Sequence, residues 1–304
     1  MRRFTYVLLL ALFFLSGSAG LMYEVVWTRK LTLLFGGTTY AITTTVAAFM
    51  AGLGLGSYIA GRIAHRLSAT GRAYGVLQLA VGVTALAVPL LLRTVEPLYR
   101  AIYSPGAGVG LLTTVRFAGG MLVLMLPTTL MGATLPVLVR YVTSRGRQVG
   151  QSVGVLYGIN TLGAVGGTLA AGFILLPNVG MNATTYVAAG LNFAVGAAAF
   201  IFLRGRKEDA AAAAAAAARR EAKARKRQQH KAVTQPVAGF EPAISARAIG
   251  RAALLATGVS GMAGMIYQIA WTRTLVMSIG STTYAFSCIL AAFILGLGGG
   301  SLLV

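Results

Sequence analysis

One carboxylate, Glu24, stands inside the apolar run that opens the chain, with Tyr23 beside it, Trp27 three residues on and Thr28 one helical turn on. A charged side chain within a bilayer is costly and normally faces a cavity or a partner. Aromatic ring faces attract cations. Tyr23, Glu24 and Trp27 together therefore make a candidate site for an organic cation, or for a proton carried on the carboxylate. Two other arrangements stay open. Glu24 pairs with Arg29, or it sits at the outer interface with Tyr23 and Trp27 as part of an aromatic belt. The same pattern returns near the other end as Tyr267, Gln268, Trp271 and Thr272, one charge poorer. Gln268 and Trp271 join the candidate cavity on that ground.

The return is part of a longer match. Ser16 to Ser57 recurs without a gap at Ser260 to Ser301, an offset of 244 residues. SGSAGLMYEVVWTRKL reappears as SGMAGMIYQIAWTRTL, GGTTYA as GSTTYA, and AAFMAGLGLGS as AAFILGLGGGS. An internal repeat of this length implies one complete unit and the opening of a second. The expectation is a truncated second unit, since Val304 falls inside what should be a helix.

These residues need elements that cross a membrane. Hydrophobic residues make up 57% of the chain and charged residues 11%, where a soluble domain carries about 25% charged. Eight apolar stretches are long enough to span, near 4–28, 37–61, 73–93, 112–140, 150–176, 181–203, 251–276 and 281–304. The expected fold is an all-α polytopic membrane protein. Abundant glycine (39 residues) with only 8 prolines suits closely packed helices. Basic residues gather before the first span, between the second and third, between the fourth and fifth, and after Leu203. That bias predicts a cytoplasmic amino terminus, with six spans returning the chain to the cytoplasm.

The net charge of +20 follows the same map. The cations sit at helix ends and in one linker without interleaved aromatics, so anionic headgroups are the expected partner and nucleic acid is not. The linker, 204–250, opens RGRKED, runs through alanines 210 to 218 and continues RREAKARKRQQHK. Alanine favours helix, and acids first with bases last suit the helix dipole. A cationic surface helix ending before Pro236 is predicted, either as a solvated spacer or resting on headgroups at about 1 kcal/mol per basic residue. Arg2, Arg3 and the small residues from Ser16 to Gly20 imitate a secretory signal. SGMAG at Ser260 to Gly264 has no such use, and small residues four apart equally let helices approach, so the first segment reads as a retained helix.

Other polar residues read more plainly. Gly154, Gly158, Gly163 and Gly167 give two GxxxG spacings, and Asn160 lies among them with Tyr157 three residues before it. A central packing helix is expected there, with the Asn160 amide bonded to a neighbour. Arg116 and Arg140 bracket the fourth span and should snorkel to the interfaces. Pro127 and Pro136 should kink that span. His65, His230 and the lone Cys288 have no company suited to a metal, so no metal site and no disulfide are expected.

The YE..WTR strings and LYGINTLGAVGGTLAAGFILLPNVG (Leu156 to Gly180) resemble the fused major-facilitator/spermidine synthase proteins, over residues 4–203 and 251–304 but not the linker. The resemblance implies a major-facilitator-like six-helix unit at 1–203, the cytoplasmic linker at 204–250, and the first two helices of a second unit at 251–304. It also implies a bacterial-type inner (plasma) membrane location, and as partners the bilayer, the missing second half and a soluble synthase domain. GRIAHR at Gly61 to Arg66, followed by Gly71 and Arg72, is similar to the major-facilitator loop signature, but His65 replaces its usual aspartate. Aminopropyl transfer in that family needs an acidic pair and a Gly-rich strand-to-helix turn for decarboxylated S-adenosylmethionine. This chain has one aspartate, Asp209, in the linker, and its GLGLG string (Gly52, Gly54, Gly56) lies within an apolar helix. The 304 residues by themselves are thus expected to need no cofactor and to perform no synthase reaction; decarboxylated S-adenosylmethionine would enter only with the missing domain. The expected role is to anchor the enzyme and handle polyamine substrate or product. The alternatives are half of a secondary transporter for a small cation or amine, or a structural anchor alone.

Overall fold

The computed structural model describes residues 3–36, 38–67, 69–102, 109–145, 147–203, 246–280 and 283–302. The alanine-rich cationic segment predicted as a surface helix lies outside the described residues. Every regular element described is helical: α1 (Arg3–Phe35), α2 (Thr38–Ile63), α3 (Thr70–Ile102), α4 (Val109–Thr143), α5 (Val149–Leu169), a π-helical segment (Ala170–Leu175), α6 (Leu176–Phe202), α7 (Ala246–Ile279) and α8 (Thr283–Leu302). Seven segments among the described residues are long and apolar enough to cross a membrane, which is consistent with a multi-pass helical membrane protein.

The count is seven because the spans expected near 150–176 and 181–203 fall in one run, Val149–Phe202, which is two helices meeting at a kink at Gly180. The connection expected between them falls at that kink. A π-helical segment, Ala170–Leu175, leads toward it, and the direction changes at Gly180, whose φ of 77° and ψ of 178° leave the helical region. Only glycine adopts that conformation without a Cβ clash. The neighbours show the reversal. Gly163 abuts the Phe14 backbone and Gly167 the Ser18 backbone, so α5 runs parallel to α1. Lys30 donates to Asn182 at 2.9 Å and Asn192 donates to Tyr23 at 3.0 Å, so α6 runs antiparallel to it.

Lipid offers no hydrophobic drive between helices, so close backbone approach and interhelical hydrogen bonds must hold this bundle. The α1–α5 contact uses both. A Cβ on Gly17 would collide with the Asn160 carbonyl, one on Gly163 with the Phe14 carbonyl, and one on Gly167 with that of Ser18. Ser18 Oγ donates to the Gly163 carbonyl at 2.8 Å, and Asn160 Nδ2 to that of Phe13 at 3.0 Å. The α2–α4 contact is built alike: Gly52 meets Thr128, Gly56 meets the Thr129 backbone, and Gly132 meets the Leu53 backbone. Ser57 Oγ donates to the Gly132 carbonyl at 2.9 Å. Gly158 is buried and Gly154 half-buried on α5. Pro127 and Pro136 lie in the interior of α4.

The chain divides into two units, Met1–Gly205 with Gln268–Val304, and Arg206–Tyr267. The first holds the apolar core, in which Leu9, Phe13, Tyr74, Leu138, Tyr141 and Leu156 are buried together. Of the second, residues 246–267 of α7 are described, and positions 250–262 are exposed throughout.

Candidate functional site

Helix α1 is buried without interruption from Met22 to Thr28. Tyr23 and Trp27, four residues apart, share one face. Their rings stack with centroids 5.1 Å apart and planes 16° from parallel. Trp27 continues onto Phe49 of α2 at 5.7 Å, and the Tyr23 hydroxyl accepts from Asn192 of α6. This column of rings is core. It rules out the aromatic-belt arrangement, because neither Tyr23 nor Trp27 retains any exposed surface.

Glu24 follows Tyr23 by one residue and so projects about 100° around the helix from the stack. It is 3% exposed and lines a cavity of about 170 Å³. Pairing with Arg29 is also overturned. Arg29 is exposed, and no cation of the described residues forms an ion pair with Glu24. Around Glu24 the cavity takes Ser16, Gly17, Gly20 and Leu21 from α1, Met131 and Thr134 from α4, and Tyr157, Asn160, Thr161 and Ala164 from α5. Helix α2 adds Phe49, Met50 and Leu53, α7 adds Gln268, and α8 adds Leu290, Phe293, Ile294 and Leu297.

Gln268 is the second polar anchor. It is 3% exposed, and its Oε1 has no hydrogen-bond partner. An unsatisfied buried acceptor costs about 1–3 kcal/mol. Four position pairs at the 244-residue offset line this one space: Glu24 with Gln268, Phe49 with Phe293, Met50 with Ile294, and Leu53 with Leu297.

Of the five residues expected to share a cation cavity, then, Glu24 and Gln268 do so. Tyr23 and Trp27 pack behind it. Trp271 lies elsewhere, 60% exposed and lining a separate groove with Thr274, Leu275, Ile289, Ala292 and Phe293. Asn160 both bonds to α1 and borders the cavity. Arg116 stands over the Tyr40 ring at 5.5 Å, away from the cavity. Thr134, Thr161 and Ser16 were not singled out from the sequence, since isolated Ser and Thr in apolar helices most often bond their own backbone. Thr134 Oγ1 and Thr161 Oγ1 do so here, to the carbonyls of Met131 and Tyr157. Among the described residues no group of His, Cys, Asp and Glu is placed to hold a metal.

The chain is 28% identical over 200 residues to polyamine aminopropyltransferase 2 of Streptomyces coelicolor, across 64% of this chain and 34% of that protein. It spans about a third of the length of this curated relative. No family profile and no solved structure matches the chain. The match is distant and partial, to a protein named as a polyamine aminopropyltransferase, and the apolar helices suit a membrane-associated protein.

Proposed function

We propose that this chain is the membrane portion of a polyamine aminopropyltransferase-like protein, holding a catalytic portion at the bilayer and binding an amine substrate or product in the Glu24 cavity. The observation that carries the reading is the buried Glu24 carboxylate, which borders a cavity and forms no ion pair with any described cation. A carboxylate so placed is complementary to an ammonium, and the relative in Streptomyces coelicolor is named for polyamine chemistry. In this reading residues 1–203 form a major-facilitator-like six-helix unit and 251–304 open a second, duplicated one. The amino terminus and the 204–250 linker face the cytoplasm, where the linker's cations meet anionic headgroups. The catalytic portion, with decarboxylated S-adenosylmethionine as its co-substrate, lies outside these 304 residues.

A second reading is half of a secondary transporter for a small cation or amine. The four offset pairs lining one cavity favour it, because repeat-built transporters bind substrate at the interface of their repeats.

The test is thermal unfolding of the purified chain in detergent with a panel of butylamine, putrescine and spermidine. At least one amine should raise Tm, and Glu24→Gln should remove that shift while leaving the ligand-free Tm within a few degrees. A shift that survives in Glu24→Gln would rule out the amine cavity.

A further inference from the structure

We infer that the end of the bundle where α1 stops carries a site for an anionic phospholipid, its phosphodiester held between Lys30 of α1 and Arg93 of α3 and its apolar part against Leu33, Pro89 and Leu92. These residues line one pocket of about 350 Å³, together with Glu96 of α3 and Asn182 of α6. Polar and apolar atoms share its wall about equally, and leucine and proline side chains contribute none of the polar part. Lys30 is half-buried, and its ammonium donates to Asn182 Oδ1 at 2.9 Å, so a neutral partner sets its position. That bond uses one of the three N–H donors of an ammonium. Arg93 is exposed, and its guanidinium is near enough to repel the Lys30 ammonium. An anion between two such cations relieves the repulsion, and a guanidinium fork matches the paired oxygens of a phosphate.

Charge and surroundings choose the ligand class. Lys30 and Arg93 against the single carboxylate of Glu96, two minus one, leave the pocket one positive charge in excess. A phosphodiester carries one negative charge and matches that excess. A zwitterionic headgroup brings an equal positive charge with its phosphodiester and forfeits the net attraction. The rest of the wall favours a lipid over a free phosphate. Leu33 lines the pocket and is 62% exposed, and Leu90 and Leu91, next in sequence to Pro89, are exposed as well. Lysine and arginine near the end of a span hold their charge at headgroup depth while their stems lie along apolar surface. The cationic linker attaches after Phe202, at the other end of α6 from Asn182, so its cations are a separate attraction for headgroups.

Thermal unfolding of the purified chain in detergent tests this, titrated with short-chain phosphatidylglycerol, short-chain phosphatidylcholine, and glycerophosphoglycerol as the same headgroup without tails. In the native chain phosphatidylglycerol should reach half its maximal Tm shift at a concentration at least about tenfold below that of phosphatidylcholine. Glycerophosphoglycerol should give no shift in that range. Lys30→Gln with Arg93→Gln should weaken the phosphatidylglycerol response about tenfold. Lys223→Gln with Arg225→Gln, in the linker, should leave the preference between the two lipids in place. Glu96→Gln removes the one carboxylate of the pocket and should tighten phosphatidylglycerol several-fold, a gain that a poorly folded variant cannot produce. If the Lys30 and Arg93 double variant fails to fold, the native preference and Glu96→Gln still decide. Equal responses to the two lipids overturn the inference, and so does a glycerophosphoglycerol response equal to that of phosphatidylglycerol. A preference lost in the linker variant but kept in the pocket variant overturns it too.

Discussion

Two stretches that share ten of 21 residues, Ser16–Gly36 in α1 and Ser260–Gly280 in α7, have similar backbones and unlike surroundings. Each helix ends the same way. Gly36 (φ 68°) donates to the Thr32 carbonyl at 3.0 Å, and Gly280 (φ 93°) donates to the Val276 carbonyl at 2.9 Å, at equivalent positions of the two strings. That ending is local chemistry, a left-handed glycine closing the last turn. Burial is different. Gly17 is pressed against Asn160, and its equivalent Gly261 has open space around it. Ser18 bonds across to α5, and its equivalent Met262 is 61% exposed. Trp27 is fully buried, while Trp271 is mostly exposed. Local signals travel with the string; packing depends on which neighbours are present. Two pairs escape the contrast: Thr28 and Thr272 are both buried, and so are Glu24 and Gln268, which line one cavity.

The largest effect that would test this comparison comes from the tryptophans. Trp27→Ala removes a ring packed against Tyr23 and Phe49, and should destabilise the chain by about 3–5 kcal/mol through lost contacts and the cavity left behind. Trp271→Ala, at an exposed groove, should cost less than about 1 kcal/mol. Chemical unfolding of both variants in the same detergent measures the difference. Equal losses would mean that α7 packs as tightly as α1, and the comparison would fail. Next in size are the two helix-ending glycines. Gly36→Ala and Gly280→Ala each place a Cβ in a left-handed conformation, at about 1–2 kcal/mol. Here the two stretches should agree, because the strain is local. A cost at Gly36 alone would show that the shared ending is not the shared cause.

The same division explains what the sequence revealed. The helical, multi-pass character was legible because apolar length is a local property, as in α2 and α4. The glycine-lined α1–α5 contact was half legible: the GxxxG spacings mark one partner, but nothing in the string says that Gly163 meets Phe14. Glu24 was recognisable as an isolated carboxylate, and the 244-residue offset directed attention to Gln268. Tyr23 is one residue from Glu24 and so about 100° around the helix from it, while Trp27 is drawn into the core by its stacking on Tyr23 and its contact with Phe49, which spacing alone does not reveal. The turn between the spans expected near 150–176 and 181–203 was legible to within a few residues, since the chain reverses at Gly180, whose positive φ leaves the helical region. Asn192 gave no signal at all. Its role depends on the Tyr23 hydroxyl, 169 residues distant.

That hydrogen bond supplies the smallest and most discriminating prediction. Tyr23→Phe keeps the ring stacked on Trp27 and removes only the hydroxyl that accepts from Asn192 Nδ2. Interhelical hydrogen bonds in membranes are worth about 0.6 kcal/mol on average, and Asn192 is fully buried, so the loss should be about 1 kcal/mol once the stranded amide is counted. Asn192→Leu should cost a similar amount, and the double variant little more than either single change, because one bond is lost in all three. The coupling energy from unfolding of the four proteins is the quantity to measure. Additive losses would mean that Tyr23 and Asn192 act independently, and the buried ring column would then be held by shape alone. Coupled losses would show that α1 and α6 are locked by a polar contact on the face behind Glu24, leaving the carboxylate free to meet a ligand.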